Sequence, residues 1–218
     1  MLGESTEDYL KAIWKLERRG RVTTSALAAE LDVSPASATG MLKKLASLRL
    51  VTHEPYRGAA LTPAGERVAL EVIRHHRLLE LYLTEALGLG WDEVHEEAER
   101  LEHHLSDGLE AKIDAALGHP RRDPHGDPIP TADLELVGDE TRALSDVEAG
   151  TAALVARVPG EDPGLLRYLG ELGLAPDTEI VVVHRAPYGG PVTVEVAGQR
   201  HAIAQELAAR IEVGGGVG

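Results

Sequence analysis

The chain has 218 residues, with 36 Asp and Glu against 22 Lys and Arg, and a formal net charge of -14. It contains no Cys, which excludes disulfides, thiolate zinc fingers and cysteine nucleophiles. A hydrophobic fraction of 43% can build a core, no stretch approaches the roughly 18 apolar residues of a membrane span, and the opening MLGESTEDYL has neither the basic nor the apolar region of a secretory signal; a cytoplasmic protein is expected.

Residues 5–19 place Tyr9, Leu10, Ile13, Trp14 and Leu16 near one helical stripe. Ser5 or Thr6 is the expected cap and Gly20 the stop. Residues 23–31 form a short second helix opened by Thr23 or Thr24. A turn, Asp32-Val33-Ser34-Pro35, then supplies a cap at Ser34 and a proline at the first helical position. Residues 35–48 read as a third helix with Ala38, Met41, Leu42 and Leu45 inward. Residues 50–62 read as two short strands around a Pro-Tyr-Arg-Gly turn. Thr62-Pro63 opens a long helix to about Leu87, Gly88-Leu89-Gly90 breaks it, and Trp91 to Leu117 make another. Residues 119–130 hold four prolines and one glycine, a linker or ordered loop. The runs TAALVARV, TEIVVVHR and PVTVEVAG are then β-rich, with the short helix PGLLRYLGELG between the first two. They make a small barrel-like module of roughly 70 residues, a size that folds alone. The glycine-rich tail 214–218 is expected to be disordered.

Charge is uneven along the chain. Residues 1–67 hold 10 basic and 8 acidic residues, whereas residues 68–140 hold 6 basic and 18 acidic. Seven of the ten histidines lie in that acidic stretch: His75, His76, His95, His103, His104, His119 and His125. Carboxylate and imidazole together, without sulfur, are the donors of Mn²⁺ or Fe²⁺ rather than of a structural zinc site.

Three short helices and a hairpin are the winged helix-turn-helix pattern, in which the third helix enters the DNA major groove. The expected DNA-facing set is Ser34, Pro35, Ala36, Ser37, Thr39, Gly40, Lys43 and Lys44, with Arg57 at the wing tip for a phosphate. The slight positive charge of this segment limits affinity unless two copies bind together. In the fifth helix, His95, Glu99, Glu102 and His103 are spaced by four, three and one, so Glu99, Glu102 and His103 can meet on one face. His76 and Glu80 are again four apart, and Asp8 offers a further oxygen. The bland alternative is a solvated helix face, which wins for one isolated pair but less readily for two sets. His104, beside His103, points elsewhere and is not expected to ligate the same ion, and His119, His125, His184 and His201, in loops or strands, read as solvated or core histidines.

STEDYLKAIWKL, VSPASATGMLKKLASLRLV, YRGAALTPAG, RHHRLLELYL and VHEEAERLEHHLSD, in this order and spacing, resemble the diphtheria toxin repressor family of metal-dependent transcriptional regulators, most closely its manganese-responsive branch. The resemblance implies a mostly α fold with a β-rich C-terminal module: a winged helix over 1–67, a helical metal-binding and dimerisation domain over 68–118, a linker over 119–148 and an SH3-like domain over 149–213. It implies a homodimer on double-stranded, pseudo-palindromic operator DNA, switched on by Mn²⁺ with Fe²⁺ as the alternative. It assigns Asp8, Glu99, Glu102 and His103 to one metal site and His76, Glu80 and His95 to an ancillary one. Carboxylates at positions 8 and 99, where the iron-responsive branch has Met and Cys, suit the harder Mn²⁺. Two departures stand out. The shorter manganese regulators carry a glutamate of a two-metal cluster where this chain has Lys11, and charged lysine cannot ligate. The Glu and Gln that the iron branch contributes from its C-terminal domain align with Gly160 and Pro163, with Glu161 and Asp162 near enough to substitute.

Two other functions fit parts of the pattern. One is a di-metal carboxylate enzyme on a helical bundle, but the chain has no Glu-x-x-His at Glu99, no HExxH, no nucleophile elbow and no phosphate-binding glycine loop. The other is a winged-helix sensor of an organic ligand. A non-enzymatic regulator is expected.

Overall fold

The computed structural model describes residues 2–54, 58–138 and 140–215. They divide into two compact units. The first comprises Met1–His76, Leu101–Asp107 and Pro130–Glu135, and the second Arg77–Arg100, Gly108–Ile129 and Leu136–Gly218.

In the first unit, α1 (Glu4–Arg19), α2 (Thr24–Glu30) and α3 (Pro35–Ser47) precede a hairpin of β1 (Val51–Glu54) and β2 (Gly58–Leu61), paired antiparallel from Val51↔Leu61 to Glu54↔Gly58. Local chemistry sets the starts. Thr23 Oγ1 accepts from the Ala26 amide at 3.1 Å, and Ser34 Oγ accepts from the Ser37 amide at 3.1 Å with Pro35 at the first helical position. Asp32, at φ 49, makes the tight turn between α2 and α3. The start of α1 departs from expectation. The helix begins after Gly3 with no side-chain cap, and Ser5 and Thr6 lie inside it, while Glu4 and Glu7 complement the helix dipole in the first turn. Leu10, Ile13, Leu27, Leu42 and Leu45 are fully buried and lock the helices together. The hairpin is held on by a backbone bridge from Val22 to Ala59 and by Glu17 Oε1, which accepts the Leu61 amide at 3.1 Å.

Helix α4 (Pro63–Leu87) starts where Thr62 Oγ1 caps the Gly65 amide at 3.1 Å. A Cβ on Gly65 would stand 2.0 Å from the Leu50 carbonyl oxygen, so only glycine allows this approach. The single helix expected from Trp91 to Leu117 is broken. It comprises α5 (Val94–Leu101), a 3-10 turn over Glu102–His104, and α6 (Asp107–Ala116). Leu105 leaves helical geometry at φ -74, ψ 119, and Ser106-Asp107 is a pair that favours a helix start over a helix interior.

Residues 119–130 form an ordered loop within the second unit, closed by a bridge between Arg122 and Pro128. Arg122 Nη1 donates to the Gly126 and Ala156 carbonyls at 3.0 and 2.8 Å. Gly126, at φ +90, would carry a Cβ 2.0 Å from the Ala156 oxygen. Beyond it lie β3 (Arg142–Ala143), β4 (Ala152–Arg157), α7 (Pro163–Glu171), β5 (Glu179–Arg185), β6 (Val192–Val196), β7 (Gln199–Ile203), α8 (Gln205–Ala208) and β8 (Glu212–Gly215). The sheet order is β3-β8-β4-β5-β6-β7, with every neighbouring pair antiparallel. Leu144, Val155, Leu166, Leu169, Ile180 and Val194 are among its fully buried core residues. Two expectations change here. Arg142 and Ala143, counted with the linker, pair with β8, and Gly214 and Gly215, counted with the tail, are strand residues; 216–218 lie outside the described residues. Among the described residues no helix is long and apolar enough to cross a membrane.

Candidate metal centre and nucleic-acid interface

Helix α3 presents two faces. Ala38, Leu42 and Leu45 are buried, while Ser34, Pro35, Ala36, Ser37, Gly40, Lys43 and Lys44 are exposed and Thr39 is half-buried. A Cβ at Gly40 would meet nothing within 4 Å, so the helix face there is open to close approach. Some of the expected readers have local work. Ser34 Oγ caps the helix and lies 2.9 Å from Ser37 Oγ, Thr39 Oγ1 donates to the Pro35 carbonyl at 2.8 Å, and Lys44 Nζ donates to Thr6 Oγ1 at 3.3 Å. Arg57 lies outside the described residues.

The first unit gathers charged groups between α1 and the 3-10 turn. Glu102 is fully buried. Its Oε1 accepts from Lys11 Nζ at 2.6 Å, and its Oε2 lies 2.6 Å from His76 Nδ1. His103 Nδ1 lies 2.7 Å from Glu7 Oε2, and its Nε2 lies 2.9 Å from Asp8 Oδ1 and 3.5 Å from Glu102 Oε1. Asp8, Glu102 and His103 thus offer two oxygens and one nitrogen within 4.8 Å of one another. This hard and borderline donor set fits Mn²⁺ or Fe²⁺. Burial pushes the Asp8 carboxyl above its ordinary range, more than the His103 and Lys11 charges pull it down. At His103, burial opposes the charge, but the Glu7 hydrogen bond and the charges of Glu102, Asp8 and Glu7 prevail and raise the imidazole.

The second unit builds another group around Glu80. His95 Nδ1 lies 3.0 Å from Glu80 Oε1, and His125 Nδ1 lies 3.7 Å from Glu80 Oε2 and 4.0 Å from Asp123 Oδ1. Asp123 and His125 are 6% and 1% exposed. His125 Nε2 is 2.7 Å from the Trp91 carbonyl, which can only accept, so Nε2 carries a hydrogen. In a neutral ring Nδ1 would then aim a lone pair at two carboxylates. Three electron-rich atoms converge, and only a second proton or a cation reconciles them. Burial lowers the His125 imidazole, but Glu80, Asp123 and the Trp91 carbonyl push it up to about 9. Burial, with the charges of Asp127 and Glu80, raises Asp123 to about 8 against the opposing Arg77 and His125 charges.

The expected ligands therefore distribute as follows. The first unit joins Asp8, Glu102, His103 and His76 and adds Glu7 and Lys11. The second joins Glu80 and His95 and adds Asp123 and His125, with Glu99 Oε1 3.9 Å from His95 Nε2. His125, expected to be a solvated or core histidine, is buried, with the carboxylates of Glu80 and Asp123 beside it. Asp162 caps α7, accepting from the Gly164 and Leu165 amides at 2.8 and 3.1 Å, and Glu161 is exposed. Gly160 is present for packing, since a Cβ there would stand 2.8 Å from the His125 ring.

Three family models match successive stretches of the chain. The family model "Iron dependent repressor, N-terminal DNA binding domain" matches residues 1–59, "Iron dependent repressor, metal binding and dimerisation domain" matches 62–131, and "FeoA domain" matches 142–214. The iron-dependent repressor IdeR of Mycobacterium tuberculosis is 34% identical over 227 residues, covering 97% of each chain. A solved manganese-dependent transcriptional repressor in complex with manganese is 41% identical, with a TM-score of 0.89 over 95% of this chain and 98% of its own. ScaR with bound Cd²⁺ is 34% identical, with a TM-score of 0.84 over 96% and 99%. These relatives are repressors, and the enzyme reading falls away. With a family-model match to the DNA-binding domain, another to the metal-binding and dimerisation domain, and similarity along the full length, this chain belongs to the family of iron-dependent and diphtheria toxin repressors, metal-dependent transcriptional repressors.

Proposed function

We propose that the chain is a cytoplasmic, homodimeric repressor that binds a pseudo-palindromic operator when Mn²⁺, or alternatively Fe²⁺, occupies its metal sites. The observation that carries this reading is the placement of Asp8 on α1 within reach of His103 and Glu102 on the 3-10 turn. Asp8, Glu102 and His103 would hold one ion, and Glu80, His95, Asp123 and His125 have the donors for a second. A bound divalent cation supplies charge that draws these carboxylates together. The chain's own groups do the rest. Asp8 fastens α1, and with it the helix-turn-helix, to the turn from which the chain runs on into α6. A dimer must present its two α3 helices about 34 Å apart to enter successive major grooves. Fastening α1 narrows the spacings the pair samples, and by linkage DNA must tighten metal binding by the same factor. Ala36 and Gly40 allow close approach to the groove, and Lys43 meets the phosphate backbone.

The test is a pair of variants on operator DNA selected with Mn²⁺ present. Asp8→Ala should fold normally by circular dichroism yet lose roughly tenfold or more of the Mn²⁺-induced gain in affinity. Lys43→Ala should weaken binding at every Mn²⁺ concentration and lower the salt slope by about 1. Undiminished Mn²⁺ dependence in Asp8→Ala contradicts the tether.

A further inference from the structure

Glycine is the least favourable helix residue apart from proline, because it has the most backbone freedom to lose. Gly40 nevertheless sits in the middle of the 13-residue α3. Gly65 of α4 has an internal reason, the Leu50 carbonyl oxygen 2.0 Å from where its Cβ would be. Gly40 has none: its backbone is ordinary helix, and a Cβ there would meet no atom within 4 Å. The fold gains nothing from the missing side chain and gives up helix stability for it. Ala36, Gly40, Lys43 and Ser47 are spaced by four, three and four, which puts them on one exposed stripe opposite the buried Ala38, Leu42 and Leu45. This domain matches a DNA-binding family model, and in a helix-turn-helix the N-terminal half of the recognition helix meets the base edges. Residues 34–42 hold no Arg, Lys, Asn or Gln, the side chains that clasp a base edge with two hydrogen bonds. The hydroxyls present are each held within the helix: Ser34 Oγ lies 2.9 Å from Ser37 Oγ, and Thr39 Oγ1 donates to the Pro35 carbonyl at 2.8 Å.

We propose that Gly40 is a specificity-determining residue: it lets the α3 backbone seat against the base edges of the operator, so that sequence is read there by close fit rather than by paired hydrogen bonds. The proposal rests on the reading of α3 as the recognition helix. Non-specific binding is dominated by phosphate contacts and does not need this seating. Filling the position should therefore cost the operator complex more than the complex with unrelated DNA.

The experiment compares the natural protein, Gly40→Ala and Gly40→Leu with Mn²⁺ present. The probes are a duplex selected by the natural protein from a random-sequence pool and an unrelated duplex of equal length. Gly40→Ala should melt roughly 2–4 °C higher than the natural protein, since the methyl group has room and the helix is firmer. It should nonetheless bind the selected duplex roughly fivefold or more weakly. Gly40→Leu should lose more, and in both variants the ratio of selected to unrelated affinity should fall. Undiminished affinity of either variant for the selected duplex overturns the proposal, and so does an equal loss on both duplexes. A lower melting temperature for Gly40→Ala would place the constraint inside the fold and overturn it as well. Lys43→Ala separates this claim from the reading beneath it. If Lys43→Ala also binds both duplexes as the natural protein does, α3 is not the recognition helix; if it weakens binding while the Gly40 variants do not, only the present proposal falls.

Discussion

His103 and His125 share an electronic constraint: in each ring both nitrogens face acceptors. His103 meets Glu7 and Asp8, and His125 meets the Trp91 carbonyl and Glu80. Without metal, the imidazolium form lets both nitrogens of each ring donate, and the neighbouring carboxylates raise both rings above the ordinary 6.5, His125 to about 9. A raised folded pKa means that the stabilisation is complete below the unfolded value and is lost as pH rises through the folded one. Asp123 acts in the same direction. Its proton is held up to about 8 rather than 3.8, so its contribution also declines over that span. The metal-free protein should therefore melt at progressively lower temperature between pH 6.5 and 9. If Mn²⁺ takes the place of a proton at these nitrogens, as proposed, it should bind more tightly over the same range. Thermal melts with and without Mn²⁺ check this; a metal-free midpoint that rises with pH contradicts it. The sequence names Asp8, Glu80, His95, Glu102 and His103 as candidates because each lies on or beside a helix with readable period. It does not bring Asp123 and His125 to Glu80, because a proline-rich loop has no period that relates them to it. The nearest sequence signal for the loop pair is Asp123, His125 and Asp127 around Gly126.

At the scale of elements, caps and close contacts decide where α3 and α4 begin. Removing the hydroxyl that caps α3, in Ser34→Ala, should cost about 1 kcal/mol in denaturant unfolding, and it also removes the partner of Ser37. Gly65→Ala should cost about 1–3 kcal/mol, because the first turn of α4 must move off the Leu50 carbonyl. A cost near zero would mean that this junction yields freely. The helix-turn-helix was legible because its signals are local: Thr23, Ser34-Pro35 and an inward row of Ala38, Leu42 and Leu45. The break between α5 and α6 was not. Hydrophobic period runs through it, and only Leu105's extended backbone and the Ser106-Asp107 start end the helix. That break puts Glu102 and His103 on a tight turn rather than on a helix face.

For the whole molecule, an acidic chain binds DNA by concentrating what positive charge it has on one surface. The net charge of -14 sets a general repulsion from phosphate, and Lys43 and Lys44 on exposed α3 oppose it locally. Affinity should accordingly fall steeply with salt and depend on two copies binding together. The order of the domains was readable from composition alone: slightly basic helices, acidic histidine-rich helices, then a β-rich module. The start of the last module was less so, because β3 is a two-residue strand whose partner, β8, lies about seventy residues on. The most direct measurement is fluorescence anisotropy of the natural protein on selected operator DNA, with Mn²⁺ titrated in and then chelated. Tight binding should appear with Mn²⁺ and reverse with chelator. Binding of equal strength before Mn²⁺ and after chelation would contradict metal gating and return the carboxylate–imidazole centres to a purely structural role.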